Sequence, residues 1–354
     1  MKKWICLIVL VAFGAFLFFL PQLGSSPMGK ALFIRLLENN IHGKAQIDAL
    51  HFSWKGPQTF QQIQFTTPDI QGSIAELTQE APFWSFLNSK GALSLKNTSL
   101  TFPRYPGVQI QQKELQAELS EHAFLLKQPL VLSIQITPEL SSTLLREVNP
   151  LFLTGVSAKN PLLLQISSTD FSCPLHPFSL KKLRLNGSLD MGQVECKNGK
   201  SLSSILQFLK TPSSQQMTIW FTPVDFQIEK GILHTGRMDA LISRSVHICT
   251  WGQIDLLKDS LDMSLGLTAD TLQRSFGVTG LSDNYVLSIP IKGSTKDPEF
   301  VTGPATAKIA AMLGTQQIAN TKKGRVFGSV LNTFSKISND SDVPPPKRPF
   351  PWEK

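Results

Sequence analysis

The side chains in this chain that are able to do chemistry do not fall into a catalytic pattern. Six histidines, His42, His51, His122, His176, His234 and His247, are scattered, with no helical pairing suited to a metal ion. Asp255, Asp259 and Asp262 cluster in sequence and are the candidates for an acid–base pair. Strand alternation, however, puts Asp255 and Asp262 on the solvated side. Gly199-Lys200-Ser201 copies the end of a phosphate-binding loop, but Val194 stands where that loop needs its first glycine. An Asn198-Gly199 turn explains the same residues without a phosphate. Neither Gly-x-Ser-x-Gly nor Gly-x-Gly-x-x-Gly occurs. Of the 4 cysteines, Cys6 lies in an apolar run and Cys173, Cys196 and Cys249 follow it. An odd number of thiols beyond that run argues against a disulfide framework. Pairing of Cys173 with Cys196 stays open if the compartment is oxidising. The reading is a protein that is not an enzyme and uses no metal or cofactor.

The elements that carry these residues are mostly strands. From Gly231 to Phe300 apolar and polar residues alternate: Met238, Ala240 and Ile242, then Val246 and Ile248, then Ile254 and Leu256. Leu261, Met263, Leu265 and Leu267 keep the same beat, and Ile289-Pro290-Ile291 closes it before Asp297-Pro298. A period of two sends alternate side chains to opposite faces, so this is an antiparallel sheet with one apolar and one wet face. Earlier stretches repeat the pattern: Leu50, Phe52 and Trp54; Ile63 and Phe65; Leu93 and Leu95; Leu100 and Phe102; Leu130, Leu132, Ile134 and Ile136. Lys181 to Met191 reads as the clearest strand, with Leu183, Leu185, Leu189 and Met191 on one face.

Short helices interrupt the strands. Ser26-Pro27 supplies an N-cap and a first-turn proline for a helix carrying Leu32, Phe33, Leu36 and Leu37. Thr137-Pro138 starts another with Leu140, Leu144, Leu145 and Val148, and Leu202, Ile205, Leu206 and Leu209 mark a third. Beyond Phe300 the pattern changes to two helices, near 304–318 and 324–337, and then to a polar, proline-rich tail expected to be disordered. The terminal helices either cap the open end of the sheet or lie on a membrane.

The N-terminus reads as a membrane anchor. Trp4 to Leu20 is uncharged and apolar behind Lys2 and Lys3, with Trp4, Leu7, Leu10, Phe13, Leu17 and Leu20 along it. Its length is near the lower limit of about 17 residues for crossing a bilayer. The flanking lysines would stay on the cytoplasmic side, so the rest of the chain would lie across the membrane. A cleaved signal peptide is the rival reading, but 22–27 match a cleavage site poorly. The formal charge is +8, and much of the excess sits at the two ends, including Lys322, Lys323, Arg325, Lys347 and Arg348. Basic ends suit an anionic membrane surface, and no basic–aromatic stripe favours nucleic acid. The 23 Phe against 2 Tyr favour surroundings in which a phenol hydroxyl would lack a partner.

In order along the chain, these residues resemble the AsmA-like family of bacterial envelope proteins, relatives in architecture of bridge-like lipid carriers. The resemblance rests on the apolar anchor and short helix, then Gly43, Ile47, Leu50, Phe52-Ser53-Trp54 and Ile63-Gln64-Phe65. It resumes with Gly231-Ile232-Leu233, Asp239, 252–256, Leu261-Asp262-Met263 and the closing Ile289 to Gly293 with Asp297-Pro298. Residues 105–230 carry no part of it. It implies a mainly β fold with short α-helices: a long twisted antiparallel sheet curled into an apolar groove, with an N-terminal transmembrane helix and C-terminal helices. The expected organisation is an anchor over 1–21, a periplasmic groove domain over 22–300, helices over 301–337 and the tail over 338–354. The implied function is lipid transport or outer-membrane homeostasis from the inner membrane, with phospholipid acyl chains as partners and other envelope proteins as further candidates. About fifteen strands at roughly 4.8 Å would make a groove of about 70 Å. The groove is expected to be lined by Leu183, Leu185, Leu189, Met191, Met238, Ile242, Leu261, Met263, Leu265 and Leu267. The alternative is a structural scaffold of an envelope complex whose apolar face is closed by helices.

Overall fold

The computed structural model describes residues 20–83, 91–103, 108–120, 123–145, 149, 156–174, 179–197, 200–212, 216–319, 343–346 and 350. The fold is mainly antiparallel β with a few short helices. The stretch expected to be one groove domain is divided between two compact units, 1–134 with 165–179, and 135–164 with 180–354. No helix among the described residues is long and apolar enough to cross a membrane. Trp4, Leu7, Leu10, Phe13, Leu17 and the expected 324–337 helix lie outside the described residues.

The first unit holds β1 (Lys44–Gln46), β2 (Ala49–His51), β3 (Gln58–Thr66), β4 (Gln71–Glu80), β5 (Gly91–Thr101), β6 (Val108–Leu119), β7 (Ala123–Leu126) and β8 (Leu130–Ile134). Both β1 and β2 pair with β3, and the sheet continues β3-β4-β5-β6, with β7 and β8 on the far side of β6. The apolar residues of these strands are out of phase with a strict two-residue beat: Phe60 is followed by Ile63, Leu77 is preceded by Ile74, and Leu95 is followed by Thr98 and Leu100. A line of unpaired positions crosses the sheet at Gln62, Ala75, Asn97 and Lys113, and Gln62 and Asn97 have φ of 50° and 48°. The register is the same on both sides of this line, and the left-handed residues Gln62 and Asn97 turn the chain over so that the apolar side chains regain one face.

The Pro27–Ile41 helix crosses one end of that face. Its N-cap is Ser26, whose hydroxyl accepts from Gly29 N at 3.2 Å, with Pro27 in the first turn. It ends at His42, which takes φ 50° and closes the last turn. Phe33, Ile34 and Leu37, with Leu20, pack against Ile47, Leu50, Phe52, Phe60, Ile63, Ile74 and Phe83. Phe52 is the hub, with ring centroids 5.8 Å from Phe60 and 5.5 Å from Phe83. The expected apolar side of this helix is corrected in part, because Leu32 and Leu36 point away from the sheet and are 64% and 54% exposed.

The second unit contains β9 (Val156–Ser157), β12 (Leu185–Asp190), β13 (Gln193–Lys197), β14 (Gln216–Phe221), β15 (Val224–Glu229), β16 (Ile232–Ile242), β17 (Val246–Asp255), β18 (Ser260–Thr268), β19 (Val286–Gly293) and β20 (Pro298–Phe300). Strand β10 (Leu162–Ile166) is shared between the two units, and β11 (Cys173–Pro174) belongs to the first. The long β16 takes β15 on its first half and β14 on its second, and the order β16-β17-β18-β19-β20 completes that side. A two-residue hairpin joins β15 to β16: Lys230 and Gly231 both have positive φ, as the turn that matches strand twist demands. In β16, Gly236 and Arg237 stand opposite the one residue Trp251. This bulge shifts the phase so that Leu233 shares a face with Met238, Ala240 and Ile242.

Candidate functional site

Eight of the ten expected groove residues are interior. Leu189, Met191, Met238, Ile242, Leu261, Met263, Leu265 and Leu267 are between 0% and 5% exposed, so the chain's own atoms leave them no surface for an acyl chain. Leu185 is half-buried at the start of β12, and Leu183, also half-buried, precedes that strand rather than lying in it. The covering comes from helices and loops. Ile205 and Phe208 of the Lys200–Phe208 helix border a cavity of about 430 Å³ together with Leu265 and Ile289 of the sheet. Asn149 donates from Nδ2 to Thr250 Oγ1 at 2.8 Å, which satisfies a hydroxyl on the otherwise apolar face. Ala305 and Ile309 of the Gly303–Ala319 helix are buried, and that helix contacts β19. In this unit the apolar face is a packed core.

The first unit differs. Its cross-strand register places Phe60, Leu77, Leu95 and Leu115 in one row, and Phe65, Gly72, Leu100 and Ile110 in another. A third row runs Leu93, Ala117, Leu126, and a fourth Leu119, Phe124, Cys173. Leu93, Leu95, Leu100, Ile110, Leu115, Leu119 and Phe124 are all only half-buried. The wet face carries charge pairs instead, such as Lys96 Nζ with Glu76 Oε1 at 2.8 Å, and Lys127 with Glu118. A contiguous, partly uncovered apolar surface on a sheet is the kind of feature that marks an interaction site. Met28 (85% exposed), Leu32 and Leu36 add a second such stripe, four residues apart along the outer side of the 27–41 helix.

Sequence reasoning missed a buried charge cluster on the other face of the second unit's sheet. Arg237 and Asp239 are 7% and 3% exposed. Arg237 donates from Nη2 to Asp239 Oδ1 at 2.7 Å and from Nε to Oδ2 at 3.0 Å. His247 Nε2 lies 2.8 Å from Oδ1 of the same carboxylate. Burial alone would push the Asp239 carboxyl up. Hydrogen bonds from His247 and Arg237, with their charges, outweigh it and hold the group below the usual carboxylate range. The carboxylate then only accepts, so His247 Nε2 carries the shared proton. The backbone is fixed as well: Asp239 N donates to Thr222 Oγ1 at 2.8 Å, and His247 N donates to Thr271 Oγ1 at 2.8 Å. Thr268 caps the Ala269–Phe276 helix and donates to His247 O at 2.9 Å. With three donors on its two oxygens, Asp239 is a structural anchor with little capacity left as a base. The available signal was Arg-x-Asp next to a strand bulge, which a sequence without coordinates does not distinguish from solvated charge.

Beside this cluster lies a cavity of about 520 Å³, bordered also by Asp270, Asp283, Asn284, Pro346 and Phe350. The three aspartates singled out by spacing serve separate structural ends. Asp255 accepts from Leu257 N and Lys258 N in a turn, Asp259 from Thr295, and Asp262 from Lys292 across the sheet. His42 caps a helix, His51 and His234 are exposed, and His122 and His176 lie outside the described residues. No group of three or more His, Cys, Asp or Glu among the described residues could hold a metal ion. Cys173, Cys196 and Cys249 are not joined in a disulfide. Burial, reinforced by the Asp239 charge, pushes the Cys249 thiol up to about 12, so it stays protonated.

No protein-family model, curated protein or solved structure matches this chain.

Proposed function

We propose that the chain is a non-enzymatic, membrane-anchored envelope protein that shelters lipid acyl chains on the apolar sheet face of its first unit. The AsmA-like resemblance and an inner-membrane anchor with the bulk in the periplasm are part of this reading. The observation that carries it is the set of half-buried rows through Leu95, Leu100, Leu115 and Leu119; among the described residues the Pro27–Ile41 helix covers one end of this face. Acyl chains laid on that face gain about 0.8 kcal/mol for each buried CH₂. The exposed Met28, Leu32 and Leu36 come a short segment, Pro21 to Pro27, after the apolar N-terminal run, and they suit a bilayer interface near an anchor. The lipid-facing residues are thereby moved from the second unit to the first.

The second reading, a scaffold without lipid carriage, is favoured by one observation: the apolar residues of the second unit's sheet are buried by the chain itself. Mass spectrometry of gently purified protein separates the two. Lipid carriage requires co-purified phospholipid in the wild type, lowered severalfold in Leu95→Glu and Leu115→Glu with the thermal transition retained. Wild-type protein free of phospholipid would leave the scaffold. Met263→Glu is unsuitable for this purpose, because Met263 is 1% exposed and the variant would unfold the core.

A further inference from the structure

The proline-rich C-terminal segment is not free along its whole length. Val343 packs against Cys249, Trp251 and Val286, a small apolar patch on the otherwise polar side of the second unit's sheet. Gly266 lies beneath this patch. A Cβ there would come within 2.5 Å of Cys249 Sγ and Val286 Cγ1 and 2.8 Å of Trp251 Cζ3, so the cluster depends on its absence. Next along the segment, Pro344 O accepts from Arg237 Nη1 at 3.2 Å. Phe350 is 3% exposed and stands edge-on to His247, with ring centroids 5.3 Å apart. Pro345 and Pro346 are exposed between these contacts.

These contacts are the ones that recognise proline-rich peptides elsewhere in protein chemistry. Such a peptide is extended before it binds, has no N–H at its prolines, and so offers carbonyls and ring faces to an aromatic shelf and a fixed donor. Trp251, with Cys249 and Val286, is the shelf here, and the residue lying on it is Val343. Arg237 is the donor, and it is held in position because Asp239 occupies its other two nitrogens.

We propose that this face is a binding site for a proline-rich peptide that also carries an aromatic residue, occupied in the resting protein by the chain's own Val343, Pro344 and Phe350. The occupant is a ligand joined to its receptor by the chain, and a proline-rich partner would have to displace it. This inference concerns the second unit and does not depend on lipid binding by the first.

The test uses the full chain and a fluorescein-labelled synthetic peptide of residues 341–354, followed by fluorescence anisotropy. A tethered occupant competes at an effective concentration on the order of millimolar. The wild-type chain should therefore need at least about tenfold more peptide than a Val343→Asp, Phe350→Ala double variant, whose own segment is weakened. A peptide carrying the same two changes should not bind the variant. Equal titration of wild type and variant, no binding by the variant, or equal binding of the altered peptide would each overturn the proposal. So would loss of the variant's cooperative thermal transition, because a segment the fold cannot do without is core and not ligand.

Discussion

The two units solve the same problem differently. Each is an antiparallel sheet with one apolar face, and in each a local irregularity restores the phase of the alternation, left-handed Gln62 and Asn97 in the first and the bulge at Gly236 and Arg237 in the second. The second unit closes its apolar face with chain from elsewhere and leaves Ile248, Ile254, Leu267 and Leu287 completely buried. It even lays the proline-rich segment over part of its polar face. Among the described residues, the first unit has the Pro27–Ile41 helix over one end of that face, and Leu93, Leu100, Leu115 and Leu119 are half-buried. Strand patterning therefore does not say whether an apolar face is a core or a binding surface. What covers it decides.

The contrast is sharpest for charge. Asp239→Asn should cost about 3–5 kcal/mol of stability, because Arg237 is left buried without its counter-charge. Glu76→Gln, which removes an exposed cross-strand partner of Lys96, should leave the urea midpoint unchanged. A small effect of Asp239→Asn would mean that the second unit is looser than its contacts indicate. The sign of the pH dependence follows from the lowered Asp239 value. Its stabilisation is fully present above the unfolded carboxylate range near pH 4, and it is lost as pH falls through the depressed folded value. The stability gap between wild type and Asp239→Asn should accordingly narrow below about pH 4, and a gap that widens in acid would contradict the assignment.

A smaller contrast is expected among the leucines. Leu265→Ala should cost about 2–5 kcal/mol, the loss typical of a filled core. Leu95→Ala on the half-open face should cost about 1 kcal/mol or less. Urea denaturation of the two variants reads the difference directly, and equal losses would mean that the first unit's face is as closed as the second's. Smallest in energy is the behaviour of the thiols. Cys173 is half-buried and Cys196 and Cys249 are 0% exposed, so a thiol reagent at pH 8 should label Cys173 well before the others. Peptide mass spectrometry after timed labelling checks the order.

Much of the fold was legible because its signals are local. Ser26-Pro27 and Thr137-Pro138 start helices where the spacing of cap and proline says they should, with Thr137 accepting from Leu140 N. The alternation of Leu261, Met263, Leu265 and Leu267 does mark one face of a strand, and Asp262 does point the other way. The candidate site was less legible. Eight of the ten residues chosen for an open groove are buried, and the half-open rows around Leu95 and Leu115 were given no special role. The Arg237–Asp239–His247 cluster was invisible for a related reason, since a charged residue on a polar face reads as solvated until something buries it. Pro344 and Phe350, in a stretch expected to be disordered, lie against it.

By itself, then, the sequence determined the period, the helix starts and the chemical character of each sheet face, because backbone geometry turns a two-residue beat into two faces within a few residues. Only the tertiary structure decided which face is covered. That depends on contacts such as Asn149 with Thr250 and Arg237 with Pro344, between residues 101 and 107 positions apart. Burial is a property of what the chain brings back over a surface, and no local pattern carries that information.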